Sequence, residues 1–230
     1  MKGIMIKEEL FKVVIEGRKT QTRRLVPPIK YFGEKLDVNN GVLVGHAGYR
    51  SLRCAIIDLG TWGVFDCRPR YKEGEIVYLK EPYMADEDTQ VVAYKYWPQQ
   101  VRTPNEGLSS FTYYKSPETC KWENKMFMPE KYARYFIKIT KVRLERVTNI
   151  SRFDAIAEGV KQAEFKGFYV DYLNPNRSFL DPVRSFHSLW DNINVRWNRA
   201  KDDYRGYMFK DSPYVWVYEF ELTTPINYGI

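Results

Sequence analysis

The sequence has few of the residues that stabilise secreted, membrane or zinc-binding proteins. Its 3 cysteines in 230 residues are odd in number and widely spaced, so a secreted disulfide framework is a poor fit. No apolar run approaches the roughly 18 residues of a membrane helix, and the opening run Gly3–Ile6 is too short for a signal-peptide core. The cysteines and the 2 histidines match no zinc-ligand spacing. We therefore expect a reduced, cytoplasmic chain with no cofactor and no membrane partner.

Acidic residues are also in the minority. Lysine and arginine number 36 against 29 aspartates and glutamates, which gives a net charge of +7, and aromatic residues make up 16% of the chain. Cations attract phosphates and flat rings stack on bases, so this composition suits a nucleoside or a single-stranded nucleic acid as partner. A solvated basic surface is an alternative explanation of the charge. Net charge bears on binding partners and not on the fold.

The hydrophobic patterns predict strands separated by short helices. A short strand is expected at Gly3–Ile6 and a helix over Lys7–Glu16, which Gly17 ends. Further strands are predicted at 74–81, 90–97, 132–147 and 212–222, and further helices after a capping box at 151–154 and at Asp181-Pro182. The irregular segment 29–70 is interpreted as an insertion or lobe. Because regular βαβ spacing is missing, the pattern favours an α+β fold with a small curved sheet or barrel.

A dense polar segment, Gly17–Arg24, follows the first helix and is expected to form a loop or a short turn. It holds four cations and two hydroxyls in eight residues. Lys19 precedes Thr22 by three residues, so its amine reaches the hydroxyl if the backbone turns between them. A neutral lysine activates such a hydroxyl as a nucleophile, and like charges on the neighbouring arginines favour the neutral amine. The alternative is an exposed basic loop with a threonine cap.

Four stretches of the chain match a known pattern in the right order. Gly17–Arg24 has the form Gly-x-Lys-x-x-x-Arg, and Cys67–Glu81 is similar to a segment with Cys-Pro-Tyr-Gly, Gly-Asp and Val-Arg-Glu-Thr-Trp. Asp154–Val160 resembles an Ala-x-x-Glu-Gly-Ile helix end. Phe186–Ile193 with Pro213–Phe220 resembles closing elements of the form Leu-Trp-Asp-x-Ile and Pro-x-Val-Trp-Val. Through these stretches the chain resembles the ASCH domains of the PUA-like superfold, in the form found in many bacteriophage-type members.

The resemblance implies a fold and a chemistry. The fold is a small curved β-barrel of the PUA type, flanked by short helices, with a cleft for a base or nucleotide. One branch of the family hydrolyses the acetyl amide of N4-acetylcytidine with a lysine, a threonine and a glutamate. These correspond to Lys19 as general base, Thr22 as nucleophile and Glu158 as a charge partner that orients the lysine or shuttles protons. Backbone amides or Arg23 would stabilise the oxyanion.

Several candidate residues keep two interpretations. Glu158 acts in catalysis, or it pairs with Lys19 or Arg23 to hold the segment. Glu81, at a strand end, pairs with a cation or accepts hydrogen bonds from the exocyclic amine of a base. Tyr83 stands where the family often has Trp and is a stacking surface or an ordinary rim residue. The candidate ligand-binding residues are Arg18, Arg23, Arg24, Glu81 and Tyr83, whereas Phe186, Trp190 and Trp216 have core spacing and are assigned to packing.

The sequence departs from the family pattern in two respects. Glu75 replaces the usual Asp and Lys80 the usual Arg, and the second change lies near the presumed ligand side. The chain is also longer than the minimal hydrolase branch, with extra segments near 29–70, 98–130 and 195–211. We interpret these segments as loop-rich insertions that narrow or cover the cleft of a single domain over residues 1–230.

Two functional hypotheses follow from the sequence. The first is an amidohydrolase that acts on an N-acylated pyrimidine nucleoside, because Lys19, Thr22 and Glu158 occur together. The second is a noncatalytic module of phage or mobile-element origin that binds RNA or modified DNA, because of the net charge and the arginines in Gly17–Arg24. A basic face that meets another protein is a third, less specific option.

Overall fold

The computed structural model describes residues 1–26, 69–86, 91–96, 122–198 and 207–224, together with the strand segments 29–31, 34–36, 42–45, 54–58, 61–65, 100–103, 107–110 and 203–205. The helices are α1 (Glu8–Ile15), α2 (Arg152–Ala157) and α3 (Pro182–Asn194). The strands, in chain order, are β1 (Lys2–Met5), β2 (Gln21–Leu25), β3 (Ile29–Tyr31), β4 (Glu34–Leu36), β5 (Val42–Gly45), β6 (Cys54–Asp58), β7 (Thr61–Phe65), β8 (Ile76–Lys80), β9 (Tyr83–Asp86), β10 (Val91–Tyr94), β11 (Gln100–Thr103), β12 (Gly107–Ser110), β13 (Phe136–Arg146), β14 (Tyr169–Val170), β15 (Ser178–Phe179), β16 (Arg196–Asn198), β17 (Asp203–Arg205) and β18 (Tyr214–Thr223).

The chain has a mixed α+β fold, as the sequence predicts. The described strands form open sheets, and no closed barrel is found among them. The chain divides into two compact units. The first comprises Met1–Thr20, Glu73–Thr140 and Phe220–Ile230, and the second Gln21–Lys72 and Lys141–Glu219. The strands β13 and β18 each continue along the chain from one unit into the other. The single domain expected from the sequence stays a prediction.

In the first unit, β1 pairs in parallel with β8, and β8 pairs antiparallel with β13. A second sheet has the strand order β12-β11-β10-β9, with antiparallel pairs throughout. The helix α1 has acidic residues in its first turn and buries Leu10, Phe11, Val13 and Val14. It ends as predicted, because Gly17 adopts a φ of 72° and its N–H bonds back to the carbonyl of Val14 at 2.9 Å.

Tyrosines make up much of the core of the first unit. The cluster consists of Tyr78, Tyr83, Val92, Tyr94, Met128, Ala133 and Phe136. Two of the phenols donate hydrogen bonds to carbonyls, Tyr78 to Met128 at 3.0 Å and Tyr94 to Tyr132 at 2.8 Å. A buried phenol needs such a partner. The aromatic residues of this chain therefore supply core volume that aliphatic residues supply in other proteins.

In the second unit, β2 pairs antiparallel with β18, which places Thr22 opposite Tyr218 and Arg23 opposite Val217. The strands β18 and β13 are neighbours in the same sheet. The prediction of a loop or turn over the whole of Gly17–Arg24 is therefore wrong from Gln21 onward. The pairing with β18 satisfies the backbone of this polar segment, and no local signal in the sequence reveals that partner.

The helices of the second unit begin where the sequence predicts. In α2 the side chain of Ser151 accepts a hydrogen bond from the N–H of Asp154, and the Asp154 carboxylate accepts one from the N–H of Ser151. In α3 the side chain of Asp181 caps the first turn and Pro182 occupies it. Phe186 and Trp190 on α3 are buried, so their assignment to packing is confirmed, and Trp216 on β18 is buried as well.

The expected insertions are only partly described. Within 29–70, the strands β3 and β4 form a hairpin, and β5, β6 and β7 form a three-stranded antiparallel sheet. Most of the remaining residues of that segment, and parts of 98–130 and 195–211, lie outside the described residues. In the part of the chain that the structure describes, no helix has the length and apolar composition to cross a membrane.

Candidate functional site

Lys19 follows α1 in the first unit and is buried. The residue has only 2% of its surface exposed. Its backbone N–H donates a hydrogen bond to the carbonyl oxygen of Val13 at 3.0 Å. Arg18 beside it is exposed, and its guanidinium bonds to the carboxylate of Glu16. A hydrogen bond from Arg18 lowers the pKa of Glu16. The two neighbouring cations therefore differ, because one faces solvent and the other lies inside the protein.

The first residues of β2 form a run of buried polar side chains in the second unit. Gln21, Thr22 and Arg23 are 3%, 5% and 6% exposed. Side chains alternate across a strand, so Gln21 and Arg23 lie on one face of the sheet and Thr22 and Arg24 on the other. This alternation separates the candidate nucleophile from Arg23, the side chain that the sequence suggested for oxyanion stabilisation.

The Arg23 guanidinium is bonded on all sides. Its Nε and Nη2 donate to the Oε1 atom of Glu145 at 3.0 and 2.6 Å. Its Nη1 donates to the Oε1 atom of Glu158 at 3.1 Å and to the side-chain oxygen of Gln21 at 2.6 Å. The ring of Phe186 lies 5.7 Å from the guanidinium carbon. The pairing of Glu158 with Arg23, one of the two interpretations drawn from the sequence, is thus present.

Three further charged residues extend this cluster. Arg143 donates to Glu145 and to Asp154, each at 3.2 Å, and also bonds to Glu219. The side-chain amide of Gln21 donates to Asp154 at 3.0 Å. We call this group the Arg23 network; its members are Gln21, Arg23, Arg143, Glu145, Asp154, Glu158 and Glu219. The sequence reasoning missed Arg143, Glu145, Asp154 and Glu219 as members, although charges at alternate positions of β13 were a signal.

The network perturbs the ionisation of two of its members. Desolvation raises the pKa of Asp154, but hydrogen bonds from Ser151 and Gln21 outweigh it, so that this pKa is lowered overall. Desolvation lowers the pKa of Arg143, but the hydrogen bond and the charge of Glu145 outweigh it, so that this pKa is raised. Both shifts favour the charged forms and hence the ion pairs.

The opposite face of β2 carries a different set of groups. Thr22 and Arg24 share this face with Tyr218 and Trp216, their partners across the pair with β18. The hydroxyl of Tyr218 accepts a hydrogen bond from the N–H of Arg70 at 3.0 Å, and the ring of Tyr71 meets the Tyr218 ring edge-on at 5.2 Å. We call Thr22, Arg24, Trp216 and Tyr218 the Thr22 face. It combines a hydroxyl, a cation and aromatic rings.

Burial also shifts the pKa of Arg24, the charged group of this face. Desolvation lowers the pKa of the half-buried Arg24, against the charges of Tyr71 and Glu158, which raise it. Glu158 therefore acts on both sides of β2, through a hydrogen bond to Arg23 and electrostatically on Arg24. Its position at the C-terminal end of α2, where it caps the helix, accounts for its fixed placement.

Glu81 and Tyr83, the other candidate ligand-binding residues, lie in the first unit. Glu81 is fully buried, and its two carboxylate oxygens accept from the Nε and Nη2 of Arg134 at 2.7 and 2.8 Å. The Arg134 guanidinium lies over the rings of Tyr94 at 4.5 Å and Tyr135 at 4.9 Å. Desolvation raises the pKa of Glu81 against the opposing effect of Arg134. Of its two interpretations, Glu81 therefore has the geometry of a buried ion pair.

Tyr83 belongs to the tyrosine core of the first unit. It is 8% exposed, and its ring packs against the Tyr132 ring with the centroids 5.3 Å apart. A stacking platform for a base needs an accessible ring face. The placement of Tyr83 accordingly offers packing rather than a solvent-facing surface.

Metal binding has no support in the described part of the chain. No group of three or more histidine, cysteine, aspartate or glutamate side chains is arranged there to hold a metal ion. His46, Cys67 and Cys120 lie outside the described residues.

No protein-family model, curated protein or solved structure matches this chain. Membership of the ASCH family therefore stays a prediction from the sequence motifs.

Proposed function

We propose that this chain is an ASCH protein with a PUA-like barrel and that it hydrolyses the amide bond of an N-acylated pyrimidine nucleoside. One observation carries the proposal. Thr22 and Glu158, which the motifs assign to catalysis, are both buried in the second unit at 5% and 4% exposure, and Lys19 is buried in the first. Lysine and glutamate side chains are seldom buried, so the burial of all three motif residues supports the proposal.

The proposed reaction proceeds through an acyl-enzyme. Lys19 accepts the proton of the Thr22 hydroxyl, whose oxygen then attacks the acyl carbonyl of the substrate. The tetrahedral intermediate collapses, the bond between the acyl carbon and N4 of the base breaks, and N4 takes up the proton from Lys19. A water molecule then attacks the ester on Thr22 and releases the carboxylic acid.

Glu158 has a defined part in this scheme. Its bond to Arg23 fixes the carboxylate beside β2. The motifs assign Glu158 as the charge partner of Lys19, and a negative charge favours the protonated lysine. Arg23 then positions Glu158 and does not bind substrate, because its guanidinium is already bonded to Glu145, Glu158 and Gln21.

The same contacts weaken the alternative of a noncatalytic nucleic-acid module. That alternative relied on Arg18, Arg23 and Arg24 as a cluster of phosphate ligands. Arg23 is held by carboxylates inside the protein, and Arg18 pairs with Glu16. Phosphate binding requires accessible cations that displace the counterions condensed on the nucleic acid. A buried, carboxylate-bound arginine does not meet that requirement.

The test is hydrolysis of a panel of N-acylated nucleosides, with unmodified nucleosides included. Chromatography follows the formation of the deacylated nucleoside. Wild type should convert N4-acetylcytidine to cytidine. Thr22→Ala should abolish turnover, and Lys19→Ala should reduce it by about 10²–10⁴-fold, the usual contribution of a general base.

A matched control comes from the same segment. Thr20→Ala removes a hydroxyl of an exposed residue, so it should keep wild-type turnover. Equal rates for wild type, Thr22→Ala and Lys19→Ala would contradict the mechanism. Tight, salt-sensitive binding of single-stranded RNA by a protein that hydrolyses nothing in the panel would support the binding module instead.

A further inference from the structure

Trp216 has a buried hydrogen-bond donor that no described residue satisfies. The residue is 1% exposed, and its indole Nε1 is the buried side-chain nitrogen or oxygen that lacks a partner among the described residues. Leaving such a donor unpaired is destabilising, so native proteins keep few of them and each needs an explanation. The neighbouring Trp190 shows the ordinary situation, because its Nε1 donates to the carbonyl of Tyr207 at 2.9 Å.

The unpaired donor lies on the Thr22 face. Trp216 is directly opposite Arg24 in the pair of β18 with β2, and Thr22 is directly opposite Tyr218. Side chains opposite each other in an antiparallel pair have their Cβ atoms about 5 Å apart, and diagonal neighbours are about 7–8 Å apart. Trp216 is therefore a diagonal neighbour of Thr22, within the span of one small planar group.

The chemistry of this face selects the ligand atom. An indole N–H only donates hydrogen bonds, so the unpaired Nε1 of Trp216 calls for an acceptor. Nucleophilic attack by Thr22 turns the acyl carbonyl oxygen into an oxyanion, which is such an acceptor. Arg23 cannot serve there, since it lies on the opposite face and its guanidinium is already bonded to Glu145 and Glu158.

We infer that the indole N–H of Trp216 donates a hydrogen bond to the acyl carbonyl oxygen of the substrate and stabilises the oxyanion that forms there. This inference rests on the proposed function and adds an oxyanion donor to it. A donor that is unpaired before the substrate binds needs no rearrangement to meet the developing charge.

The first experiment compares Trp216→Phe with Trp190→Phe. Each change keeps an aromatic ring and removes one indole N–H. For Trp216→Phe we expect kcat on N4-acetylcytidine to fall by about 10²–10³-fold, as for loss of an oxyanion donor, with KM changed far less. For Trp190→Phe we expect kcat to stay near the wild-type value. If both variants keep wild-type kcat, the role of Trp216 is refuted while hydrolysis itself stands.

The second experiment uses Thr22→Ala, which should bind N4-acetylcytidine without converting it to cytidine. The indole ¹H–¹⁵N cross-peaks of Trp216 and Trp190 are assigned through the backbone and followed as cytidine and N4-acetylcytidine are added. The Trp216 peak should move with N4-acetylcytidine and much less with cytidine, which lacks the acyl oxygen, while the Trp190 peak stays in place. An unmoved Trp216 peak, when other peaks show that N4-acetylcytidine is bound, would overturn the inference alone. The absence of any binding would overturn the proposed function and the inference with it.

Discussion

Two buried arginines show how single residues hold this protein together. Arg23 bonds to Glu145 and Glu158, and Arg134 bonds to Glu81, with both arginine side chains 1% exposed. Arg134 also donates to the carbonyl of Tyr96 at 2.9 Å. Removing a charge from water costs several kcal/mol unless a partner of opposite sign and further hydrogen bonds replace the solvent. Both guanidiniums satisfy this condition.

The Glu81–Arg134 pair permits a stability prediction at the residue scale. Arg134→Met should lower the free energy of unfolding by about 3–5 kcal/mol, because it leaves the Glu81 carboxylate buried without its partner. Urea titration followed by circular dichroism measures the loss. Lys131→Met, a change at an exposed neighbour, should have little effect.

A double variant separates the charge from the packing. Glu81→Met combined with Arg134→Met removes both charges and should recover much of the stability that Arg134→Met loses. If the double variant is as unstable as Arg134→Met alone, the stranded carboxylate is not the cause of the loss.

At the residue scale, the sequence indicates which residues carry charge but not which of them form ion pairs. Lys19, Thr22 and Glu158 were singled out by spacing and motif, and all three are buried. The partners of Arg23 come from positions more than 120 residues further along the chain, Glu145 and Glu158. Such pairs depend on strand register and helix docking, which local patterns do not encode.

At the scale of elements, α2 positions Glu158 and depends on its capping box. Ser151→Ala should reduce the free energy of unfolding by about 1 kcal/mol, the usual cost of losing an N-cap side chain. Chemical denaturation at neutral pH measures this difference. Ser151→Asn keeps a capping oxygen and should retain most of the stability, and Arg152→Ala at an exposed position serves as the neutral control. Equal stability of Ser151→Ala and wild type would show that the box contributes nothing.

The elements also show where sequence patterns succeed and where they fail. The helix α1 and the starts of α2 and α3 were predicted because caps, glycines and apolar spacing are local signals. The strand β2 was not, since its residues Gln21–Leu25 are mostly polar and resemble a loop. What makes them a strand is the pairing with β18 and the carboxylates that neutralise Arg23, and both are long-range contacts.

At the scale of the whole molecule, the net charge of +7 is a poor guide to the site. The Arg23 network contains two arginines and four carboxylates. This group therefore carries more negative than positive charges, opposite in sign to the whole chain. The α+β class followed from the order of the predicted elements. The sequence pattern does not show whether a sheet closes into a barrel. Closure depends on the stagger between strands, which hydrophobic periodicity does not reveal.

The central claim is that Thr22 attacks the acyl group of an N-acylated nucleoside, and the most direct measurement is detection of the acyl-enzyme. The protein is mixed with N4-acetylcytidine, quenched in acid within the first turnovers, digested and analysed by mass spectrometry. We predict one acetyl group on the peptide that contains Thr22 in wild type, and none in Thr22→Ala. Steady release of cytidine with that peptide unmodified in every quenched sample, or an acetyl group that persists in Thr22→Ala, would contradict the account.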